Sequence, residues 1–152
     1  MFNISEVDKG DSDLARLISE LDAFQSELYP AESNHCMDLS TVSDEQLRCV
    51  IVRDEEDAPA GCGALLFHED GSAEVKRVYI RPEYRGRKLG EQIVSAIEGI
   101  ALERNSRLLQ LETGIHQQPA IALYRRCGYE ICDAFPPYKP DPFSVFMRKE
   151  LL

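Results

Sequence analysis

The architecture of this chain turns on Arg81-Pro82-Glu83-Tyr84-Arg85-Gly86-Arg87-Lys88-Leu89-Gly90. Val75, Val78, Tyr79 and Ile80 run into this stretch as a strand, and Pro82 breaks the run. Beyond it Leu89, Ile93, Val94, Ile97, Ile100 and Ala101 recur at helical spacing. A strand, a loop and a helix start are thus compressed into one segment. Gly86 and Gly90 permit backbone conformations closed to other residues and leave room for a close ligand. The amides opening the helix carry the positive end of its dipole, and Arg85, Arg87 and Lys88 add three cations. The matching ligand is a phosphate or pyrophosphate.

Upstream, residues 2–9 read as a first strand. Asp11 then caps a helix whose Leu14, Leu17, Ile18, Leu21, Phe24 and Leu28 share a face. Tyr29-Pro30 ends that helix, and a second short helical piece is expected near Ser43 to Leu47. Cys49 to Val52 and Gly61 to Phe67 form a hairpin across an acidic turn, and Asp70-Gly71 sends the chain back into the strand Ala73 to Ile80. Downstream, Arg107 to Thr113 is a strand. Pro119 suits the first turn of a helix and Gly128 suits its end. Tyr129 to Ala134 and Ser144 to Leu151 close the sheet around a crossover rich in proline, Phe135 to Pro142.

The 152 residues fit a single domain, residues 1–152, with one core. Five cysteines without Cys-x-x-Cys spacing and three scattered histidines predict reduced thiols and no metal site. A formal charge of −10 argues against nucleic acid, whose phosphates demand a basic surface. No apolar run is long enough to span a bilayer, and Met1-Phe2-Asn3-Ile4-Ser5-Glu6 does not read as a signal peptide, so a cytoplasmic protein without membrane partners is expected.

Two segments carry a resemblance. Arg85-Gly86-Arg87-Lys88-Leu89-Gly90 resembles the Arg/Gln-x-x-Gly-x-Gly/Ala signature of the GNAT superfamily of acyl-CoA-dependent N-acetyltransferases, with Lys88 where the first signature glycine stands. Ala120-Ile121-Ala122-Leu123-Tyr124-Arg125-Arg126-Cys127-Gly128-Tyr129 resembles the family's later Ala-x-x-Leu-Tyr-x-x-x-Gly-Phe/Tyr segment. The resemblance implies an α+β fold, the GNAT acyl-CoA N-acyltransferase fold: a mainly antiparallel sheet of six or seven strands flanked by about four helices. It implies acetyl-CoA as co-substrate, a small-molecule amine as acceptor and a homodimer as an allowed assembly.

By that resemblance, Arg85, Gly86, Arg87, Lys88, Leu89 and Gly90 hold the pyrophosphate, and the backbone of Val78, Tyr79 and Ile80 pairs with pantetheine and the thioester carbonyl. Tyr124 matches tyrosines that donate to the CoA sulfur; a phenol with a pKa of about 10 stays protonated at neutral pH. An acceptor amine with a pKa of about 10.4 arrives protonated and needs a base. Glu74 matches the position of a catalytic glutamate in several members, and Glu112 is the second candidate. The acceptor site is expected from the variable segments, with Tyr29, Glu32 and His35 from the first and Tyr138 and Ser144 from the second, and Thr113 is a further candidate. Protein amines remain open as acceptors, and a CoA-binding sensor without turnover is the reading from outside the enzymes.

Overall fold

The computed structural model describes residues 1–30 and 38–151. Seven strands form one sheet: β1 Asn3–Val7, β2 Leu47–Arg53, β3 Pro59–Phe67, β4 Ala73–Ile80, β5 Leu108–Gly114, β6 Glu130–Cys132 and β7 Ser144–Glu150. Their order is β1-β2-β3-β4-β5-β7-β6, antiparallel throughout except for the parallel pair β4 and β5. Three α-helices flank it: α1 Ser12–Leu28, α2 Leu89–Glu103 and α3 Gln118–Arg126.

One correction to the expectation follows. The described residues contain three α-helices where about four are expected, with short 3-10 turns at Leu39–Thr41 and Pro82–Tyr84. The helical piece expected at Ser43 to Leu47 is instead a turn leading into β2, because Leu47 pairs with Leu66 and is drawn into the sheet. Glu32 and His35 lie outside the described residues.

Side-chain alternation along each strand divides the core into two layers. On one face Val52, Leu65, Val75, Leu111 and Met147 meet Ile93 and Ile97 of α2 and Tyr124 of α3. On the other, Cys49, Ile51, Cys62, Ala64 and Leu66 meet Leu14 and Leu17 of α1. The α2 stripe read from the sequence is buried in full: Leu89, Ile93, Val94, Ile97, Ile100 and Ala101. In α1 the buried stripe narrows to Leu14, Leu17 and Leu21, and Phe24 is exposed. Asp11 caps α1 as expected, accepting from the amides of Asp13 and Leu14 at 2.9 and 3.0 Å.

A one-residue irregularity in β4 determines everything around the site. The β3–β4 register shifts between Cys62, opposite Tyr79, and Ala64, opposite Lys76, and Arg77 takes a left-handed φ of 55°. This is a β-bulge, which leaves two residues facing one on the partner strand. Its extra residue reverses the alternation. Val75 lies on the α2 face, yet so do Val78 and Ile80, while Tyr79 packs on the α1 side. Without the bulge Val78 would share a face with Glu74 and Lys76.

Candidate active site

Pairing between β4 and β5 stops at Val75 opposite Leu111, and the two strands then separate. The opening between them is a cavity of ≈ 60 Å³, lined by Glu74, Lys76, Val78, Glu112, Thr113 and Tyr124 among others. That is several times the ~10–15 Å³ one water needs, so the opening admits a small group. Arg77 and Val78, at the bulge and past the last β5 partner, line this opening.

The separated half of β4, and Arg81 just after it, are held by contacts to α1 and β3. Arg77 Nε donates to Asp22 Oδ1 at 3.1 Å, and its carbonyl accepts from the Cys62 thiol at 3.4 Å. Arg81 makes a two-pronged contact with Glu20, at 3.1 and 2.7 Å, and the Tyr79 hydroxyl donates to the same carboxylate at 3.2 Å. Burial pushes the Cys62 thiol up to about 12, so it remains a donor. Arg81 in turn holds Glu20 below the ordinary glutamate range.

Tyr124 enters the cavity from α3. It is 7% exposed, and its ring meets Tyr129 edge-on with centroids 5.9 Å apart. Its hydroxyl has no hydrogen-bond partner among the described residues, and burial raises the phenol well above its ordinary pKa. A buried polar atom without a partner is costly unless a ligand supplies one. The end of α3 is fixed from behind: Lys149 donates to the Cys127 carbonyl at 2.7 Å and pairs with Glu98 at 3.1 Å, and the Tyr129 hydroxyl donates to Glu98 at 3.0 Å. Gly128 adopts φ 97°, the left-handed stop expected at the helix end.

The loop of the opening segment meets α3 at Gly90, which lies against Leu123, the residue before Tyr124. Gly86 takes φ 82° and Lys88 φ 61°, so Lys88 accepts the left-handed backbone that a glycine would adopt freely, at about 1 kcal/mol. Lys88 is the N-cap of α2 and gives no side-chain cap, which leaves the first amides of a 15-residue helix without a side-chain acceptor. Arg85, Arg87 and Lys88 are exposed around them. Arg85 folds back to the Ile80 carbonyl at 3.2 Å, and Arg87 lies 5.9 Å from the Phe2 ring. Gly90 serves a different need from the one expected. A Cβ there would meet Leu123 Cδ2 at 2.9 Å, so this glycine lets α2 and α3 approach each other rather than clearing space for a ligand.

The two candidate carboxylates occupy different surroundings. Glu74, 2% exposed, meets Nε2 of His68 and Nζ of Lys76, each at 3.1 Å, and accepts a short bond from the Tyr138 hydroxyl. Burial pushes its carboxyl up, but the His68 hydrogen bond, the Lys76 charge and the Tyr138 bond together hold it below the ordinary range. Glu112 is half-buried and accepts from Ser144 Oγ at 2.8 Å. Thr113 is buried beside it.

Of the expected acceptor contacts, Ser144 and Thr113 therefore come together with Glu112. Tyr29 is engaged internally: its hydroxyl accepts from the His116 amide at 3.1 Å and sits where a Cβ on Gly114 would be, and its ring stacks on His116 at 5.5 Å. Tyr138 is likewise bound, to Glu74 and, at 2.9 Å, to Lys76. The sequence reading missed Asp22, the bulge at Arg77 and His68. The Asp70-Gly71 turn was the available signal for His68, since folding β3 onto β4 there brings residue 68 beside residues 72 and 74.

An open helix N-terminus, a separated parallel pair and a buried tyrosine over the gap now stand together. The model of the acetyltransferase (GNAT) family matches residues 14–129. The chain belongs to the GNAT acetyltransferase family. An IAA acetyltransferase of Azospirillum brasilense is 42% identical over 139 residues, covering 91% of this chain and 90% of the relative. A Klebsiella pneumoniae crystal structure, provisionally described as an acyl-CoA N-acyltransferase, is 43% identical, covers 100% of this chain and 99% of its own, and superposes with a TM-score of 0.91. A Bacillus subtilis acetyltransferase in complex with CoA shares the fold at 17% identity, with full coverage of both chains and a TM-score of 0.74. This GNAT chain is accordingly an acyltransferase, its sheet and helices are those of the acyl-CoA N-acyltransferase fold, and among its described residues no helix is long and apolar enough to cross a membrane.

Proposed function

We propose that this GNAT enzyme moves the acetyl group of acetyl-CoA to a primary amine of a small molecule or amino acid, in one step with both substrates bound. The observation that carries the reading is the buried Tyr124 hydroxyl, unpartnered among the described residues, at the gap between β4 and β5, in a fold that also leaves the N-terminus of α2 without a side-chain cap. The CoA-bound fold relative and the acetyltransferase named among the sequence relatives support it.

Acetyl-CoA, when bound, supplies an acyl group activated as a thioester. Arg85 to Gly90 hold its pyrophosphate through the first amides of α2, with the cations of Arg85, Arg87 and Lys88 around them. The backbone of Val78, Tyr79 and Ile80, released from β5, offers the extended edge along which a pantetheine arm pairs. The Val78 amide is the preorganised donor for developing negative charge on the carbonyl oxygen, a contribution of about 3 kcal/mol. Tyr124, kept protonated by burial, gives its proton to the departing sulfur.

The two carboxylates divide the remaining work. Glu112, steadied by Ser144 and flanked by Thr113, attracts the acceptor's ammonium. Glu74, held ionised by its neighbours, takes the ammonium proton through a water. Thiol release from acetyl-CoA over a panel of small amines and amino acids tests the reading. Release that depends on the amine and collapses in Tyr124→Phe is expected; amine-independent release, or none by folded protein, would contradict it.

A further inference from the structure

The small gap between β4 and β5 adjoins a second, wider space, an open groove of ≈ 1020 Å³ between the β3–β4 turn and the proline-rich crossover. Glu74 and Lys76 are the two residues that line both. An acceptor whose amine reaches the gap while its remainder lies in the groove therefore passes this pair.

Lys76 is buried, its side chain 6% exposed, and its ammonium carries three N–H donors. One reaches Glu74 Oε2 at 3.1 Å and one the Tyr138 hydroxyl at 2.9 Å. The third has no partner among the described residues, which is costly unless a ligand supplies an acceptor. Glu74, by contrast, also meets His68 and Tyr138. Its charge is shared among three neighbours, while Lys76 has Glu74 as its one anion among the described residues. The other cation lining the gap, Arg77, is engaged by Asp22.

We infer that the acceptor is an α-amino acid whose carboxylate is anchored on Lys76. The inference rests on the transferase reading above. Standard backbone geometry puts the ammonium and carboxylate of an α-amino acid about 3 Å apart. Glu74 Oε2 and Lys76 Nζ stand 3.1 Å apart, so the two charge pairs can lie head to tail. The carboxylate then takes the third Lys76 donor, and the ammonium turns toward Glu112 and, through a water, Glu74, both of which line the gap. A simple amine leaves that donor unpaired. A peptide N-terminus offers it a neutral amide, a weaker partner than a carboxylate. The side chain of the amino acid lies in the groove, whose lining combines Phe67, Pro136 and Pro137 with Glu69, Asp70 and Lys139.

The test is thiol release by the wild-type protein over the common α-amino acids, the amine that each gives on decarboxylation, and its carboxamide, which stands for a peptide N-terminus. At least one amino acid should exceed both its amine and its carboxamide about tenfold or more in kcat/KM. Release in which every amino acid is matched or bettered by its carboxylate-free counterparts overturns the inference and leaves the transferase reading standing. No release with any acceptor sinks the transferase reading, and the inference with it. Lys76→Met, checked for folding by its melting curve, should bring the preference for the carboxylate toward one, and Lys76→Arg, which keeps a cation, should retain most of it. An undiminished preference in folded Lys76→Met overturns the anchor. Should that variant not fold, the wild-type series still decides the acceptor class.

Discussion

Arg77, at the left-handed residue of the β4 bulge, is anchored to Asp22 on α1 by a hydrogen-bonded ion pair of 3.1 Å, with the Arg77 side chain 7% exposed. The bulge reverses the alternation of β4 and directs Val78 toward the gap, so this pair links α1 to the donor proposed for the thioester carbonyl. A residue held at positive φ persists only where its surroundings over-determine it. Asp22 and the Cys62 thiol grip Arg77 at its two ends.

Asp22→Asn is predicted to lower kcat about tenfold or more through a displaced Val78 amide, with acetyl-CoA affinity little changed. Steady-state kinetics beside isothermal titration separates the two quantities. A loss confined to thermal stability would mean that the pair braces the fold alone.

Tyr124→Phe removes a hydroxyl with no partner among the described residues and leaves the ring against Tyr129. It should therefore cost little stability and lower kcat about 100-fold. A melting curve run with the assay checks both halves.

The two loop positions should respond differently. Gly90→Ala puts a methyl group against Leu123 Cδ2, the movable end of a half-buried side chain, while gaining about 1 kcal/mol of helix propensity, so stability should stay within about 1 kcal/mol of wild type while the shifted Leu123 disturbs Tyr124 beside it. Lys88→Gly relieves a left-handed lysine but loosens the unfolded chain by a similar amount, so stability should stay within about 0.5 kcal/mol. Loss of its charge should weaken acetyl-CoA binding, less so in high salt. Denaturant melts and titrations at two salt concentrations read these effects.

Glu74 sets a pH signature. Its folded-state pKa lies below the ordinary 4.5, so the stabilisation it supplies is complete above that value and is lost as pH falls through the folded value. Glu74→Gln strands the buried Lys76 charge and should cost about 3 kcal/mol or more at neutral pH. The stability gap between the two proteins should narrow as pH drops below 4.5, measured by urea unfolding at a series of pH values.

Much of this was legible in the sequence because local chemistry determined it. The α2 stripe, the Asp11 cap, the Gly128 stop and the turns at 54–57 and 70–71 each depend on neighbours a few residues away. Tyr124 and the loop at 85–90 were readable from motif spacing. The bulge was not, since it falls on Arg77, a residue with no preference for positive φ, and is stabilised by Asp22 from a distant helix. The surroundings of Glu74 were equally hidden: His68 and Tyr138 reach it through the β3–β4 turn and the crossover. Gly90 was read as space for a ligand because its partner Leu123 lies on another helix.

The most direct test of the central claim is isothermal titration of the purified, folded protein with acetyl-CoA. Micromolar binding of one acetyl-CoA per chain, weakened by salt, is the predicted result. No binding by protein shown to be folded would contradict the assignment of Arg85 to Gly90 as the pyrophosphate cradle, and the proposed acetyl transfer with it.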